Sequence, residues 1–467
     1  TWIGDISEFL KDSSGIFSFI DSYKEKNPDA DIKKVQSSIE KLLAIKNAPI
    51  GMIELIDELD IETVTEIFVR INSKGMVLSQ ADFAMSKIAS YGDFGVNLRK
   101  LIDYFCHLAI EPKFYKHISE NDAEFAKTGY LEKIAWLKNE NDNLYDPSYS
   151  DVIRVSFMKE FERGKLEDLV SLLSGRNFIA KTYEEEIASK SFKKLETGIL
   201  SFVNETNFER FIMIIKSAGF ITNALVKSQG PVNFSYALFL KLRSRGMSSG
   251  KVERVVRKWY AMSLLTRRYS GSTESIFDED IARISTLGAE KYLEKIKESE
   301  LSDNFWNFTL PMDLSTTNVN HPAFLLFFAS QVYFKNKGFL SKSISVNDQI
   351  QHKGDIHHIF PKDYLQRSNR GRSDYNQIAN FVYTQSEINI SIGNKSPKQY
   401  FAEIKKLFKT KIEKYGNIKD IQTLEKNIRA NAVPLSVMEM DINDYDSFLE
   451  ERRKLIAKKI EKYYKSL

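Results

Sequence analysis

Hydrophobic residues recur at intervals of three and four through most of this chain, and polar residues fill the positions between them. This spacing is typical of amphipathic α-helices, which bury one apolar stripe and expose the opposite face. Ile39, Leu42 and Leu43 fall on one such stripe, and residues 251–265 and 445–464 repeat the pattern. We therefore predict a mainly α-helical protein.

The segment from Leu78 to Gly92 also has recognisable helix ends. Ser79 is predicted to be the N-cap, and Asp82, three residues later, is predicted to complete a capping box. Gly92 is the predicted C-terminal stop, because glycine adopts left-handed backbone angles easily. The pattern predicts a single helix between these ends.

Two short segments near the C-terminal end have the pattern of β-strands. Residues 355–360 and 380–384 are apolar and rich in β-branched or aromatic side chains. A polar, basic loop at 366–372 separates them. A helical turn around Asn389 follows, and a further helix is predicted to start at its N-cap, Ser396. The predicted local order is strand, loop, strand, helix.

Composition narrows the class of protein without defining its function. The 467 residues are 42% hydrophobic and 28% charged, as in ordinary globular proteins, and the net charge of +4 permits nucleic acid as a partner. The single cysteine, Cys106, excludes intramolecular disulfides and cysteine-rich zinc sites, which favours a reducing, cytoplasmic location. No apolar run approaches the roughly 18 residues of a membrane span. No signal-peptide pattern follows Thr1, so we expect no membrane partner.

The candidate chemistry lies in an apolar run that contains a histidine doublet, His357-His358, ahead of Ile-Phe-Pro. Only 6 histidines occur in the chain, so two neighbours within one predicted strand are informative. A histidine with a near-neutral pKa can accept a proton from water, as phosphodiester hydrolysis requires. Adjacent strand residues point to opposite faces, so the two rings suit different tasks better than joint binding of one ion.

This segment resembles the core of the HNH, or ββα-metal, nucleases. The resemblance implies that His357 binds a divalent metal ion, Mg²⁺ or Mn²⁺, and that His358 is the general base. It implies that Asn380 braces the two strands and the loop that carries the base. Asn389, in the following short helix, would complete the metal site. Together these residues imply a metal-dependent DNA endonuclease.

Basic residues cluster around this proposed core and supply the charge that nucleic-acid binding needs. Each of them, taken alone, is also compatible with an ordinary solvated side chain. The residues that we expect to contact DNA are Lys362, Arg367, Arg370, Arg372, Lys395 and Lys398.

Other segments are similar to the GmrSD family of modification-dependent restriction and phage-defence endonucleases. The similarity lies in the block Glu-Ile-Phe-Val-Arg-Ile-Asn-Ser-Lys-Gly at 66–75, in residues 267–272 and in residues 445–453. The implied domains are the C-terminal remnant of a ParB-like α/β domain at 1–92, a helical middle domain at 93–345, and an HNH nuclease domain with C-terminal helices at 346–467.

The same resemblance implies a role in defence against phage or foreign DNA, including DNA with modified bases. Members of that family normally carry an Asp-Gly-Gln-Gln-Arg type motif for binding and hydrolysing nucleotides. This motif is absent from the sequence and would be expected upstream of Thr1. We therefore expect the nucleotide site to be missing from this chain.

The sequence leaves several alternatives open. The histidine doublet can belong to a DNA-binding or regulatory protein whose nuclease core is degenerate, or to a toxin-like enzyme that cuts RNA. Arg267 and Arg268 can grip phosphate or form ion pairs with Asp278, Glu279 or Asp280. A homo-oligomer is also left open.

Overall fold

The computed structural model describes residues 16–28, 30–49, 67, 78–140, 142, 144–352, 354, 356–408 and 415–467. The chain divides into two compact units, Thr1–Val77 and Leu78–Leu467. Apart from Ile67, the block at 66–75 that resembles the GmrSD family lies outside the described residues. The predicted domain boundaries at residues 92 and 345 stay predictions.

In the first unit, the described residues form two helices, α1 (Ile16–Lys26) and α2 (Ile32–Ala44), which pack against each other. Asp31 caps α2, because its carboxylate accepts a hydrogen bond from the Lys34 amide at 3.2 Å. Ile39 is buried on the apolar stripe that the sequence pattern predicts.

The second unit is mainly helical, as the sequence pattern predicts. Its first part contains α3 (Gln80–Ala89), α4 (Gly92–Ile110), α5 (Phe114–Asn121), α6 (Ala123–Lys127), α7 (Tyr130–Lys133), α8 (Tyr149–Phe161), α9 (Leu166–Leu173), α10 (Glu185–Phe202), α11 (Glu205–Ser217), α12 (Gln229–Ser244), α13 (Ser249–Leu265), α14 (Thr273–Leu287), α15 (Ala289–Glu300), α16 (Leu310–Asp313), α17 (Pro322–Tyr333) and α18 (Val346–Gln351). Its C-terminal part contains β1 (Ile356–His358), α19 (Lys362–Arg367), α20 (Arg372–Tyr375), β2 (Phe381–Tyr383), α21 (Ser386–Ile392), α22 (Pro397–Leu407), α23 (Ile421–Ala430) and α24 (Tyr445–Ser466). Among the described residues, none of these helices combines the length and the apolar composition that crossing a bilayer requires.

The strands β1 and β2 form an antiparallel hairpin. Its register places His357 opposite Val382 and His358 opposite Phe381. Because side chains alternate across a strand, His358 shares a face with Ile356, and His357 lies on the other face. The two histidines of the doublet therefore point into different surroundings.

The two faces of the hairpin belong to different apolar clusters. Ile356, Phe381 and Tyr383 pack with the large core that the helices of the second unit form. Val382, on the other face, belongs to a smaller buried cluster together with Ile388 of α21. The hairpin therefore joins the large helical core to the elements that follow it in sequence.

The long helix α24 holds the hairpin against the helical core. It packs against α13 and α17, and the Tyr463 hydroxyl donates to the Ala218 carbonyl at 2.5 Å. Arg452, on the same helix, is fully buried. Its guanidinium donates to the carbonyls of Ala379 at 2.6 Å and Phe381 at 2.7 Å. These bonds fix the start of β2 relative to α24.

Several local predictions are confirmed. Helices α13 and α24 match the patterns at 251–265 and 445–464. Ser79 caps α3 in a capping box, and its amide donates to the Asp82 carboxylate at 2.7 Å. Ser396 likewise caps α22. Short-range signals of this kind need no tertiary context, which is why they are readable from sequence.

Two local predictions are wrong. The helix predicted to run to Gly92 ends at Ala89, and Gly92, at φ +58°, instead begins α4. A left-handed glycine suits the sharp turn between two helices equally well. The basic segment at 366–372 is not a plain loop, because the end of α19 and the start of α20 lie within it.

Candidate functional site

His358 is held between two aromatic rings at the end of β1. Its imidazole meets the Phe381 ring edge-on, with the centroids 4.9 Å apart, because the register places these residues opposite each other. The Tyr375 ring of α20 lies 6.2 Å away on another side. These edge-to-face contacts restrict the plane of the half-buried imidazole.

Nε2 of His358 lies 3.2 Å from Oδ1 of Asn376, within hydrogen-bonding distance. An amide oxygen only accepts, so the neutral ring carries its proton on Nε2 and keeps a lone pair on Nδ1. Burial lowers the pKa of His358 below its ordinary value, and the bond to Asn376 opposes that shift. The nearby charges of His357 and Lys362 lower the pKa further. The ring is therefore poised in the neutral form that can accept a proton.

Asn380 is fully buried and joins the segment after β1 to the start of β2. Its Nδ2 donates to the carbonyls of Phe360 at 3.0 Å and Tyr375 at 3.2 Å. Its Oδ1 accepts from the Phe360 amide at 2.9 Å, and its main-chain carbonyl accepts from the Ile359 amide at 2.8 Å. One side chain thus braces both strands and the α20 segment beside His358.

His357 and Asn389 lie on two different elements, β1 and α21. His357 is on the face of β1 that also carries Val382 of β2. Val382 and Ile388 of α21 belong to the same buried cluster. Asn389 follows Ile388 in that helix and is half-buried. Joint binding of one metal ion by His357 and Asn389 therefore stays a prediction.

The chemistry of this donor pair fits a divalent metal ion. Imidazole nitrogen is a common ligand of transition metals, and an amide oxygen also suits Mg²⁺ or Mn²⁺. Within the described part of the chain, no group of three or more His, Cys, Asp or Glu side chains is arranged to hold a metal. A His–Asn pair leaves most coordination positions to water and to phosphate oxygens. That division is common where a metal ion acts on a phosphate.

Two of the six basic residues expected to contact nucleic acid are engaged in ion pairs. Arg370 forms a bidentate pair with Asp446, at 3.1 and 2.6 Å. Lys395 pairs with Glu403 at 2.9 Å. A phosphate would have to compete with these carboxylates for the two cations.

The other four basic residues are less engaged. Lys362 lies over the Tyr375 ring, 5.8 Å from its centroid. Arg367 is within hydrogen-bonding distance of the Asn394 amide, at 3.2 Å. For Arg372 and Lys398, no ion pair is formed with any residue that the structure describes. These four side chains keep more of their charge for an anionic partner.

An open cleft of about 530 Å³ lies beside His358. Its lining includes both Asn376, which bonds the imidazole, and Phe381, which packs on it. One wall comes from the loop between α16 and α17, which is anchored where the Thr316 carbonyl accepts from the Ile378 amide at 2.9 Å. The lining residues are Thr317, Val319, Arg372, Ser373, Asn376 and Phe381.

Sequence reasoning misses three parts of this arrangement. The α16–α17 loop carries no motif that marks it as part of a site. Asn376 is one asparagine in a polar segment, and only its contact with His358 distinguishes it. Arg452 lies in the 445–453 stretch that resembles the GmrSD family, but helical periodicity alone does not reveal its buried contacts with backbone carbonyls.

Arg267 and Arg268 both form ion pairs within the protein. Arg268 pairs with the fully buried Asp280 at 2.5 Å, so the ion-pair alternative is confirmed for this residue. Arg267 instead pairs with Asp313 at 3.3 Å, and its guanidinium reaches Nε2 of His321 at 2.5 Å.

Comparisons with known proteins add little to this picture. No protein family model and no solved structure matches the chain. Among curated proteins, an uncharacterized protein of Methanocaldococcus jannaschii is 27% identical over 218 residues. The match covers 44% of this chain and 36% of that protein, so the chain spans little more than a third of the relative's length.

Proposed function

We propose that this protein is a metal-dependent endonuclease of the HNH type that hydrolyses DNA phosphodiesters. The observation that carries the proposal is the arrangement around Asn380. This buried side chain ties the two strands of a hairpin together, and the hairpin holds an oriented His358, whose neighbours Asn376 and Phe381 line an open cleft. A short helix with Asn389 follows the second strand, and the short helices α19 and α20 lie in the connection between the two strands.

His358 is the proposed general base. Its Nδ1 takes a proton from a water molecule, and the resulting hydroxide attacks the phosphorus of a backbone phosphodiester. The bond to the leaving oxygen breaks on the opposite side of the phosphorus. Burial of the ring keeps His358 neutral, so its lone pair is available at neutral pH.

His357 and Asn389 are the proposed metal ligands. A divalent ion bound there would offset the negative charge that develops on the leaving oxygen. Asn380 acts through the backbone, because its bonds to Phe360 and Tyr375 set the distance between the base and the second strand.

DNA is the proposed substrate, since the less engaged cations around the hairpin supply the charge that a phosphate backbone attracts. Lys362 lies over the Tyr375 ring that packs against His358, and Arg372 lines the cleft that Asn376 and Phe381 also line. The GmrSD-like resemblance extends the proposal to defence against phage or foreign DNA. It also suggests the three-domain organisation with a ParB-like remnant, a helical middle domain and the nuclease domain.

A plasmid-nicking assay with Mg²⁺, Mn²⁺ and Ni²⁺ tests this function. We expect the wild type to nick DNA and His358→Ala to lose at least about 100-fold in rate, as removal of a general base does. His352→Ala is the matched control. His352 is exposed near the end of α18, where its Nδ1 contacts the Asp348 carbonyl at 2.8 Å, so its removal should leave nicking unchanged.

Three outcomes would overturn the proposal. A wild type that binds plasmid but never cuts it, with any of these metals, indicates a degenerate nuclease core. Degradation of RNA with intact DNA indicates an RNA-cutting enzyme. A His358→Ala variant that is unfolded by circular dichroism, alongside a folded His352→Ala, indicates that the doublet serves packing instead of catalysis.

A further inference from the structure

We infer that Asn376 is a positioning residue that selects one flip state and one tautomer of the His358 imidazole. This inference rests on the proposed function, in which Nδ1 of His358 receives the proton of water. It assigns to Asn376 a task that the sequence does not indicate.

The aromatic contacts of His358 fix the plane of its ring but not its flip state. A half-turn about the bond between Cβ and the ring exchanges Nδ1 with one carbon and Nε2 with another. The edges of Phe381 and Tyr375 meet a flat ring of nearly the same outline in either state. Packing alone therefore does not decide where the lone pair of the base points.

The Asn376 amide does distinguish the two states. Its Oδ1 lies 3.2 Å from Nε2 of His358, and it accepts only from a protonated nitrogen. Flipping the ring replaces that N–H with a carbon, and moving the proton to Nδ1 removes the donor. With the carboxamide in the orientation that the structure gives, either change leaves its oxygen without this hydrogen bond, at a cost of about 1 kcal/mol or more in a partly buried site.

The backbone segment that carries Asn376 is itself held in place by hydrogen bonds. Its main-chain N–H donates to the Arg372 carbonyl at 3.2 Å, at the end of α20. The residue before it, Tyr375, presents its carbonyl to Asn380 at 3.2 Å. The Tyr445 hydroxyl donates to the Asp374 carbonyl at 2.8 Å. The segment that carries Asn376 is therefore fixed on two sides, which a positioning residue requires.

The test is ¹⁵N NMR of the histidine side chains in the full chain, at a pH where the rings are neutral. His358→Gln assigns the His358 signals by their loss. The wild type should show a protonated Nε2 and an unprotonated Nδ1. Asn376→Leu, which keeps the approximate size but removes the acceptor, should give a mixture of tautomers. Asn376→Asp keeps an acceptor and should restore the single tautomer.

Activity provides the second readout. Asn376→Leu should lower kcat for plasmid nicking by about 10- to 100-fold with little change in KM, because a misoriented base affects the chemical step. Asn376→Asp should recover part of that loss. Ser373→Ala is the matched cleft variant, since Ser373 lines the same cleft without bonding His358, and its His358 signals should match the wild type.

Each result has a defined meaning. Unchanged His358 signals in Asn376→Leu, or a wild type protonated on Nδ1, overturns the inference. A rise in KM alone for Asn376→Leu also overturns it, because Asn376 would then be a substrate contact. If the tautomer responds as expected but the wild type cleaves no nucleic acid, the positioning role stands and the proposed nuclease function fails.

Discussion

The Asn380 side chain and the Phe360 backbone form two reciprocal hydrogen bonds. The Phe360 amide donates to Oδ1 at 2.9 Å, and Nδ2 donates to the Phe360 carbonyl at 3.0 Å. An amide suits this position because it donates and accepts at once, which neither a carboxylate nor an alkyl group can do. These two hydrogen bonds fix the chain segment that follows His358. They therefore help to hold the candidate site in its shape.

Asn380→Ala should lower the free energy of unfolding by about 2 kcal/mol or more, because buried backbone groups of Phe360 and Tyr375 lose their side-chain partner. Urea unfolding followed by circular dichroism measures this change. Asn389→Ala is the control, since Asn389 is half-buried and should change stability by only about 0.5 kcal/mol. The control should nonetheless lose metal-dependent nicking. Equal stability losses in the two variants would contradict the assigned roles.

Arg452→Met should destabilise the protein by about 3 kcal/mol. The guanidinium is fully buried and serves the carbonyls of Ala379, Phe381 and Ala432, which a thioether cannot replace. Arg452→Lys should recover only part of the loss, because an ammonium cannot span all three acceptors. Lys454→Met, at an exposed pair with Glu450, should be near neutral. A stable Arg452→Met variant would argue against the role of α24 as a brace.

Arg372→Ala should weaken DNA binding more than Arg370→Ala. Arg370 already pairs with Asp446, whereas Arg372 lies in the wall of the cleft beside His358. The measurement is the slope of log K against log salt, which should shrink by about 1 for Arg372→Ala if that residue contacts one phosphate. Arg370→Ala should change the slope less. The reverse order would place the DNA path on the Asp446 side of the domain.

Acid should destabilise the folded protein in part through His321. Burial lowers the pKa of His321 below its ordinary value, the charge of Arg267 lowers it further, and Asp313 opposes the shift. The unfolded chain therefore takes up this proton at a higher pH than the folded chain does. The stability from a neutral His321 is full above about pH 6.5 and is lost as pH falls toward the lowered pKa.

The matching experiment follows unfolding of wild type and His321→Gln between about pH 5 and pH 7. The variant should show a flatter dependence of stability on pH, because glutamine does not titrate. A His321→Gln profile parallel to that of the wild type would show that His321 does not contribute to the loss of stability in acid.

Sequence reasoning reaches the parts of this molecule that depend on near neighbours. The caps at Ser79 and Ser396 are readable because each bonds a residue three positions away. The order of strands and helix around the doublet is readable because turns and apolar runs mark it. Gly92 shows the limit, since the same left-handed glycine can end one helix or begin the next.

The remainder of the candidate site depends on contacts that no local pattern encodes. Asn376 meets His358 across 18 positions, and the Arg452 guanidinium meets Phe381 across 71. The cleft wall at Thr317 comes from a loop between two core helices. These residues are of common types, and only the folded structure shows what each one contacts.

Arg452 follows Phe381 by a long stretch of sequence, so the ribosome synthesises it later. When the ribosome has synthesised both histidines and Asn380, it has not yet synthesised α24. The carbonyls at the start of β2 can bond the Arg452 guanidinium only after α24 has been added. Until then, the growing polypeptide holds its hairpin without that anchor. The start of the second strand therefore gains its anchor only after translation has passed Arg452.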